Sequence, residues 1–298
     1  MNPLPTILAF GQAIGFKTQA LTDRYLQEAG ASAVSTFALQ RFALIPAVIW
    51  SVIFIRTDDI LYIFHTPLLL FFILSIAVLW NVQSFLTSYV LNTVSTVSAL
   101  STLEYLLYMP LLLLIGTFFN GDIPNAYSIA AIAVLSCAFV VQPSHHAKNL
   151  RARFSMPLIA IMGFILLRTS LDAINNGMSR EALGMVSPEV FLGAFSVMVT
   201  GLCWFWTLFI PRTPADTTVL KKNWWLAATI PTMWFAASIP EAFAYAALPI
   251  YTVVSIGTAT FALDALSDLF HNRMQLNFRT VSFIVLVLAG IALAIYSV

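Results

Sequence analysis

An isolated carboxylate, Glu104, lies within the apolar run ALSTLEYLLYMPLL at residues 99–112. Tyr105 is its neighbour, and Tyr108 lies four residues further on, close to the same face of a helix. A carboxylate beside aromatic rings can bind an ammonium group through charge and cation–π attraction. A carboxyl group in such surroundings could also carry a coupling proton. Glu104, Tyr105 and Tyr108 are therefore candidate substrate-binding residues.

Other ionisable residues also interrupt apolar runs, namely Lys17, Arg168, Glu241 and Asp264. A charged side chain at the centre of a bilayer costs about 2.5–3.5 kcal/mol on insertion scales, so these residues must face protein or a water-filled cavity. One interpretation is that they line a translocation path, where a basic residue would bind a substrate carboxylate. The alternative is that they form internal salt bridges that hold helices together.

Two tryptophans, Trp80 and Trp234, are also candidates for a cavity wall. Asn81 and Ser84, next to Trp80, give the same predicted helix a polar face. We expect these four residues to contact the substrate, although aromatic residues at such positions can equally be packing residues.

The amino-acid composition indicates that most of this chain is surrounded by lipid. Of its 298 residues, 60% are hydrophobic and 9% are charged, and the mean hydropathy is +0.89. Soluble domains are about a quarter charged, so the chain must be an integral membrane protein. The net charge of +1 gives no reason to expect a nucleic-acid partner. Cys137 and Cys203 both lie in apolar runs, which indicates that they are packing residues.

A spanning helix needs about 20 mostly apolar residues. Turn and charge signals, such as RTDD at 56–59 and PRTPADTTVLKKN at 211–223, separate segments of this kind. The alternation typical of a transmembrane β-barrel is absent. The prediction is an all-α polytopic membrane protein with ten transmembrane helices, at roughly 4–22, 32–55, 67–90, 93–118, 124–141, 154–174, 187–210, 223–246, 249–270 and 278–297.

The two halves of the chain align with each other. With an offset near 151 to 154 residues, Lys17 falls on Arg168 and Trp80 falls on Trp234. This alignment predicts two five-helix repeats, at 1–145 and 154–298, joined by a basic linker at 146–153. Because each repeat has an odd number of helices, the second copy must be inverted in the membrane, and the substrate site is expected between the repeats.

The chain resembles the drug/metabolite transporter superfamily in its EamA-like ten-helix branch. The resemblance rests on STFALQRFALIPAVIW at 35–50, with its internal Arg41, and on TSYVLNTVSTVSALSTLEYLLYMPLLLLIGTFFNGD at 87–122. The second copy, at 246–290, is a weaker version, and Phe195 stands where the first copy has Arg41. The resemblance implies solute transport by alternating access, often export, without a covalent intermediate.

The orientation of the chain is open at this point. The loops after predicted helices 1, 5, 7 and 9 contain nine Lys and Arg residues and the opposite loops contain two. The positive-inside rule then places both termini outside. The family resemblance implies that both termini are cytoplasmic.

The sequence therefore predicts a secondary transporter in the cell (inner) membrane, a monomer or weak homodimer surrounded by lipid. Its cavity would be bounded by predicted helices 1, 3, 4, 6, 8 and 9, and its substrate would be a small polar or amphipathic metabolite, amino-acid-like as a first guess. The alternatives are an organic cation or drug exporter centred on Glu104, and a carrier of anionic metabolites or nucleotide sugars centred on Lys17 and Arg168. No HExxH, CxxC or GxSxG motif indicates an enzyme, and no cofactor is expected.

Overall fold

The computed structural model describes residues 3–93, 97–141, 158–209, 214–260, 262–263, 266 and 277–297. Side chains are described for these residues other than 24, 33, 87–93, 97–106 and 158–162. Throughout this part of the chain the regular secondary structure is helical, which confirms the predicted all-α class.

The described residues of the first half form seven helices with these bounds: α1 Leu4–Glu28, α2 Ala33–Leu39, α3 Leu44–Phe54, α4 Thr57–His65, α5 Pro67–Thr93, α6 Val97–Phe118 and α7 Ala126–Val141. A single 3₁₀ turn, Gln40–Ala43, joins α2 to α3. The second half contains α8 Leu158–Leu183, α9 Pro188–Trp206, α10 Pro214–Lys222, α11 Trp224–Ala247, α12 Ile250–Gly257 and α13 Phe278–Tyr296.

A helix covers at least part of each of the ten predicted segments. Among the described residues, four helical segments are long and apolar enough to cross a membrane, namely Val34–Phe54, Pro67–Leu86, Pro188–Trp206 and Phe278–Tyr296. This set indicates a membrane protein. Two further apolar helices, Leu107–Phe118 and Ala126–Val141, are shorter than a full span.

The ends of several helices follow directly from local sequence. Ser32 and Ser187 cap α2 and α9, each accepting a hydrogen bond from a backbone N–H in the first turn. At the end of α1, Gly30 has a φ of +104°, which favours glycine. The Gly30 N–H donates to Gln27 O and the Ala31 N–H donates to Leu26 O, the Schellman pattern that stops a helix.

Two short helices, α4 and α10, lie where the sequence predicted loops, so the loop prediction was wrong at these places. At the start of α4, the Arg56 backbone N–H donates to Asp59 Oδ2 at 2.8 Å, which is the bond that the N3 carboxylate makes in a capping box. In α10, Asp216 lies in the first turn and Lys221 and Lys222 lie in the last, which suits the helix dipole. The α4 segment was read as a loop because it carries charge between apolar runs, and the α10 segment because it carries both charge and proline.

The helices belong to two compact units. Unit 1 comprises residues 1–13, 94–177 and 247–298, and unit 2 comprises residues 14–93 and 178–246. Within unit 1, α13 packs along α7 and α12 packs on α6, α7 and α13. Within unit 2, α9 packs on α2, α3 and α5. The predicted division at 146–153 concerns repeats in the sequence, and it stays a prediction.

Small residues allow the helices of unit 1 to approach closely. A Cβ atom on Gly290 would lie 2.6 Å from Leu135 Cγ, so α13 packs directly against α7 at this glycine. Close contact through small residues is how helices associate in lipid, where no hydrophobic driving force acts between them.

Candidate functional site

The two tryptophans predicted at matched positions contact each other in unit 2. The ring centroids of Trp80 on α5 and Trp234 on α11 lie 5.3 Å apart, with the ring planes at 58°. Trp234 is 3% exposed, and Trp80 is half-buried. Such tilted pairs are favourable because the ring quadrupoles attract each other.

More aromatic rings extend from this pair. The ring centroid of Phe195 on α9 lies 6.4 Å from that of Trp234. Phe191 stacks on Phe195, with the two ring centroids 5.6 Å apart. Trp80 also packs against the buried cluster of Phe37 and Cys203. Unit 2 therefore has a cluster of contacting aromatic rings contributed by α5, α9 and α11.

Asn81 lies next to Trp80 and is fully buried. Its Nδ2 donates to Ala77 O at 2.9 Å within α5 and to Val199 O at 3.0 Å on α9. The amide therefore joins α5 to α9, while its Oδ1 has no hydrogen-bond partner among the described residues. Both hydrogen bonds of the Asn81 Nδ2 group are therefore made to backbone carbonyls. A contact between Asn81 and substrate stays a prediction.

The other predicted residues of unit 2 are Lys17 on α1, Ser84 on α5 and Glu241 on α11, all of them half-buried. They share one compact unit with the tryptophan pair. The sequence assigned Lys17 to substrate binding together with Arg168, which belongs to unit 1.

Within unit 1, Tyr108 on α6 is 6% exposed, and its hydroxyl oxygen accepts a short hydrogen bond from Asn176 Nδ2 on α8. Asn120, two residues beyond the end of α6, also contacts α8, where its Nδ2 donates to Gly177 O at 3.0 Å. A Cβ atom on Gly177 would lie 2.6 Å from Ile115 Cγ2, so α6 and α8 are in close contact here. Tyr108 is thus part of a polar contact between two helices.

The remaining predicted residues are less fully described. Arg168 is half-buried on α8, beside Thr169, which is fully buried. Glu104 and Tyr105 belong to α6, one turn before Tyr108, and their side chains lie outside the described residues. Asp264 also lies outside the described residues.

A cleft of about 670 Å³ opens within unit 2. Its walls are one face of α2 and α3 from Ser35 to Pro46, one face of α10 from Asp216 to Lys221, and the first half of α11 from Trp224 to Thr232. Arg41 is part of this lining, and its guanidinium carbon lies 4.7 Å from the centroid of Phe42. Sequence reasoning missed the cleft because it read α10 as a loop. Pro214 at the start, Asp216 in the first turn and paired lysines in the last turn were the signal that could have found this helix.

One carboxyl group outside the predicted spans was also missed. Asp23 lies on α1, just beyond the predicted span 4–22, and its Oδ1 is buried without a hydrogen-bond partner among the described residues. Burial disfavours the charged form and raises the pKa of Asp23 to about 7. This carboxyl group can therefore gain or lose a proton near neutral pH.

The described residues contain no cluster of three or more His, Cys, Asp and Glu side chains that could hold a metal ion. These residues contain a cluster of aromatic rings in unit 2, the buried amide of Asn81 and half-buried ionisable side chains such as Lys17 and Arg168.

Comparison with known proteins shows the fold and leaves the family open. No protein-family model matches the chain, and no curated protein matches it. A solved crystal structure, described only as that of a protein, has a TM-score of 0.74 to this chain at 14% identity, covering 98% of this chain and 97% of the other. At this identity the likeness shows a shared fold alone.

Proposed function

We propose that the chain is a secondary transporter of the drug/metabolite transporter superfamily, with ten membrane spans arranged as two inverted five-helix repeats. It moves a small polar or amphipathic metabolite, amino-acid-like as first choice, across the cell (inner) membrane by alternating access. The observation that carries the proposal is the contact between Trp80 and Trp234, which the repeat alignment had matched.

Helix boundaries support the repeats. Under the proposed alignment, α1 corresponds to α8, and the two helices have nearly the same length, 25 and 26 residues. The short helix α4 corresponds to the short helix α10. Helix α4 follows α2 and α3, which would form the second span of the first repeat, and α10 follows α9, which would form the second span of the second repeat. The sequence alignment did not use these short helices, so their matching positions are independent support.

Helix packing supports the repeats as well. Within unit 1, α7 packs on α13 and α6 packs on α12, and each of these is a pair of corresponding helices. Within unit 2, α3 packs on α9, and α5 meets α11 through the tryptophan pair. Corresponding helices contact each other in this way when they lie around a two-fold axis, as in transporters built from inverted repeats.

Helix α11 has features suited to a moving wall. Pro231 and Pro240 lie inside it, on either side of Trp234. Each proline removes one backbone N–H donor and favours a kink, because its ring clashes with the carbonyl four residues earlier. In the proposed cycle, the part of α11 between the two prolines tilts and carries Trp234 between its inward-facing and outward-facing positions.

The substrate class follows from the chemistry of the proposed site. Aromatic rings and Glu104 would bind an ammonium group, and Lys17 or Arg168 would bind a carboxylate. A zwitterion uses both. If the basic residues take no part, the substrate is an organic cation, and if Glu104 takes no part, it is an anionic metabolite. Glu104 could also carry a coupling proton.

Ligand-induced thermal stabilisation of the purified protein tests the substrate class. The panel contains amino acids, quaternary ammonium compounds, organic acids and nucleotide sugars. We expect stabilisation by amino acids that is lost in Glu104→Gln. The matched control is Glu28→Gln, the same chemical change at the exposed end of α1. Stabilisation by anions alone, unchanged in Glu104→Gln, would move the site to Lys17 and Arg168.

Uptake into proteoliposomes then separates transport from catalysis. A transporter accumulates the unmodified solute and saturates with its concentration. Recovery of a chemically altered product would contradict the proposal. Trp234→Ala is expected to reduce uptake more than Trp225→Ala, because Trp225 is 59% exposed and is expected to anchor the helix at the membrane interface.

A further inference from the structure

The two long walls of the cleft in unit 2 both start at the short helix α10. Helix α2 begins beside α10, because the Ser32 N–H donates to Asp216 Oδ1 at 2.8 Å. Helix α11 also begins beside α10, because Trp224 is separated from Lys222 by only one residue. Both long walls of the cleft therefore run away from α10 in the same direction. Ser35 to Pro46 spans roughly 16 Å of helix and Trp224 to Thr232 roughly 12 Å.

The chemistry of the lining changes along this direction. Near α10 the walls offer Ser35, Asp216, Thr217 and Lys221, which are charged or hydroxylated and lie beside Leu220 and Trp224. Farther away they offer the apolar residues Ile45, Pro46, Ala228 and Pro231. Among the described residues, Thr232 is the one polar lining residue at this end. The cleft is thus polar at one end and apolar at the other, which is the pattern of an amphiphile.

Positive charge predominates in the lining. Arg41 lies between the two ends, with its guanidinium carbon 4.7 Å from the centroid of Phe42 and 4.9 Å from that of Trp204. These rings hold the guanidinium at the wall through cation–π attraction. Lys221 adds a second cation, and the one carboxylate of the lining, Asp216, accepts the Ser32 N–H. The charge complements a phosphate diester, which arginine and lysine bind well.

The polar end has the residues of a membrane interface. Lys221 and Lys222 precede Trp224 and Trp225, which are 70% and 59% exposed. Basic residues and tryptophans of this kind gather at the level of lipid headgroups. The side of the cleft is open at Ile45, which is 64% exposed, so a chain can enter from the lipid.

We propose that this cleft binds one anionic phospholipid, with its phosphate beside Arg41 and Lys221 and one acyl chain along α3 and α11. The site requires the chain to lie in a membrane and does not require that it transports anything. The second repeat has Phe195 where the first has Arg41. One lipid per chain is therefore expected.

Native mass spectrometry of the full chain in detergent tests the site. The probes are phosphatidylglycerol, phosphatidylcholine, sn-glycerol 3-phosphate and inorganic phosphate, each added at the same concentration. We expect one phosphatidylglycerol to be retained preferentially over phosphatidylcholine, and no retention of the two phosphates without chains. Equal retention of both lipids would overturn the proposal, as would equal occupancy by inorganic phosphate, which would indicate a simple anion site.

Matched variants locate the bound lipid. Lys221→Gln is expected to weaken phosphatidylglycerol binding roughly fivefold, because it removes a cation of the lining that would pair with the phosphate, whereas Lys222→Gln removes an equally exposed cation outside the lining and should leave binding unchanged. Ala228→Phe fills the apolar end and should abolish retention, while Ala236→Phe, at an exposed position of the same helix outside the lining, should not. Retention that is the same in Lys221→Gln and Ala228→Phe as in the unaltered protein would place the lipid elsewhere. Arg41→Gln is a supporting variant, read together with its thermal unfolding because Arg41 also packs on aromatic rings.

Discussion

Gly15 on α1 lies directly against Ala237 on α11. A Cβ atom at position 15 would be 2.6 Å from Ala237 Cβ and 3.1 Å from Ala237 Cα. Both distances are shorter than carbon atoms tolerate, and Ala237 is 1% exposed, so neither helix has room to accommodate a methyl group. The absence of a side chain at residue 15 therefore sets the distance between α1 and α11.

The first prediction is that Gly15→Ala destabilises the protein by about 1–3 kcal/mol through overpacking. In the double variant Gly15→Ala/Ala237→Gly the methyl group moves across the interface, and most of the stability should return. Gly201→Ala is the control, because a Cβ atom at residue 201 on α9 meets nothing within 4 Å. Thermal unfolding in detergent measures all three, and a Gly15→Ala protein as stable as the control would rule out the close contact.

The second prediction concerns the tryptophan pair. In a double-mutant cycle with Trp80→Leu and Trp234→Leu, we expect a coupling energy of about 0.5–1.5 kcal/mol, because the rings contact each other with centroids 5.3 Å apart. The same cycle with Trp80→Leu and Trp225→Leu should give a value near zero. Chemical denaturation in mixed micelles provides the four free energies of unfolding for each cycle. Strictly additive effects of the first pair would mean that the rings do not interact.

The third prediction is that Asn81→Asp destabilises the protein far more than Asn81→Leu. The aspartate would turn an acceptor toward the carbonyl oxygens of Ala77 and Val199, at a cost of roughly 3 kcal/mol or more. The leucine loses the hydrogen bonds but also removes the buried Oδ1, so it should cost less. Asn223→Asp is the control, because Asn223 Nδ2 donates to Val219 O of the preceding helix α10 at a partly exposed junction. Equal losses for Asn81→Asp and Asn223→Asp would contradict the cross-helix role.

The fourth prediction concerns pH. Burial raises the pKa of Asp23 in the folded protein to about 7, against an ordinary value near 4 in the unfolded chain. Between these values the folded state binds more protons than the unfolded state, so stability falls as the pH rises from about 4 to about 7 and the loss is complete above pH 7.

Asp23→Asn should remove this part of the pH dependence and make the protein more stable than the unaltered chain at pH 8. Asp58→Asn, which changes an exposed carboxylate on α4, should leave the pH dependence as it is. Thermal midpoints recorded at pH 5, 6, 7 and 8 give the comparison. Parallel curves for the unaltered protein and Asp23→Asn would show that Asp23 is ionised in the fold across this range.

The helices could be predicted because their cause is local. A run of apolar residues must satisfy its own backbone hydrogen bonds, and the breaks at Ser32, Ser187 and Asn277 carry caps that are visible in the sequence. The helices α4 and α10 were missed although their caps and charges were equally visible, because polar composition outweighed helix signals in the prediction.

The contact between Trp80 and Trp234 could not be predicted from the sequence alone. The repeat alignment placed them at corresponding positions, but correspondence does not require contact. Only the packing of α5 against α11 decides that the two rings meet. The same holds for Asn81, whose residue type indicated a polar face but whose Nδ2 donates to a backbone carbonyl 118 residues away.

The sequence by itself determined that the chain is helical and apolar enough for lipid, because composition and the spacing of breaks are properties of a single chain. It also singled out the isolated charges and the paired tryptophans. Only the tertiary structure decided which helices touch, that a glycine opposite Ala237 sets a helix distance, and that Arg41, Lys221 and Ile45 line one cleft. The physical reason is that helix formation depends on neighbours along the chain, whereas packing depends on side-chain shapes that come together from segments more than a hundred residues apart.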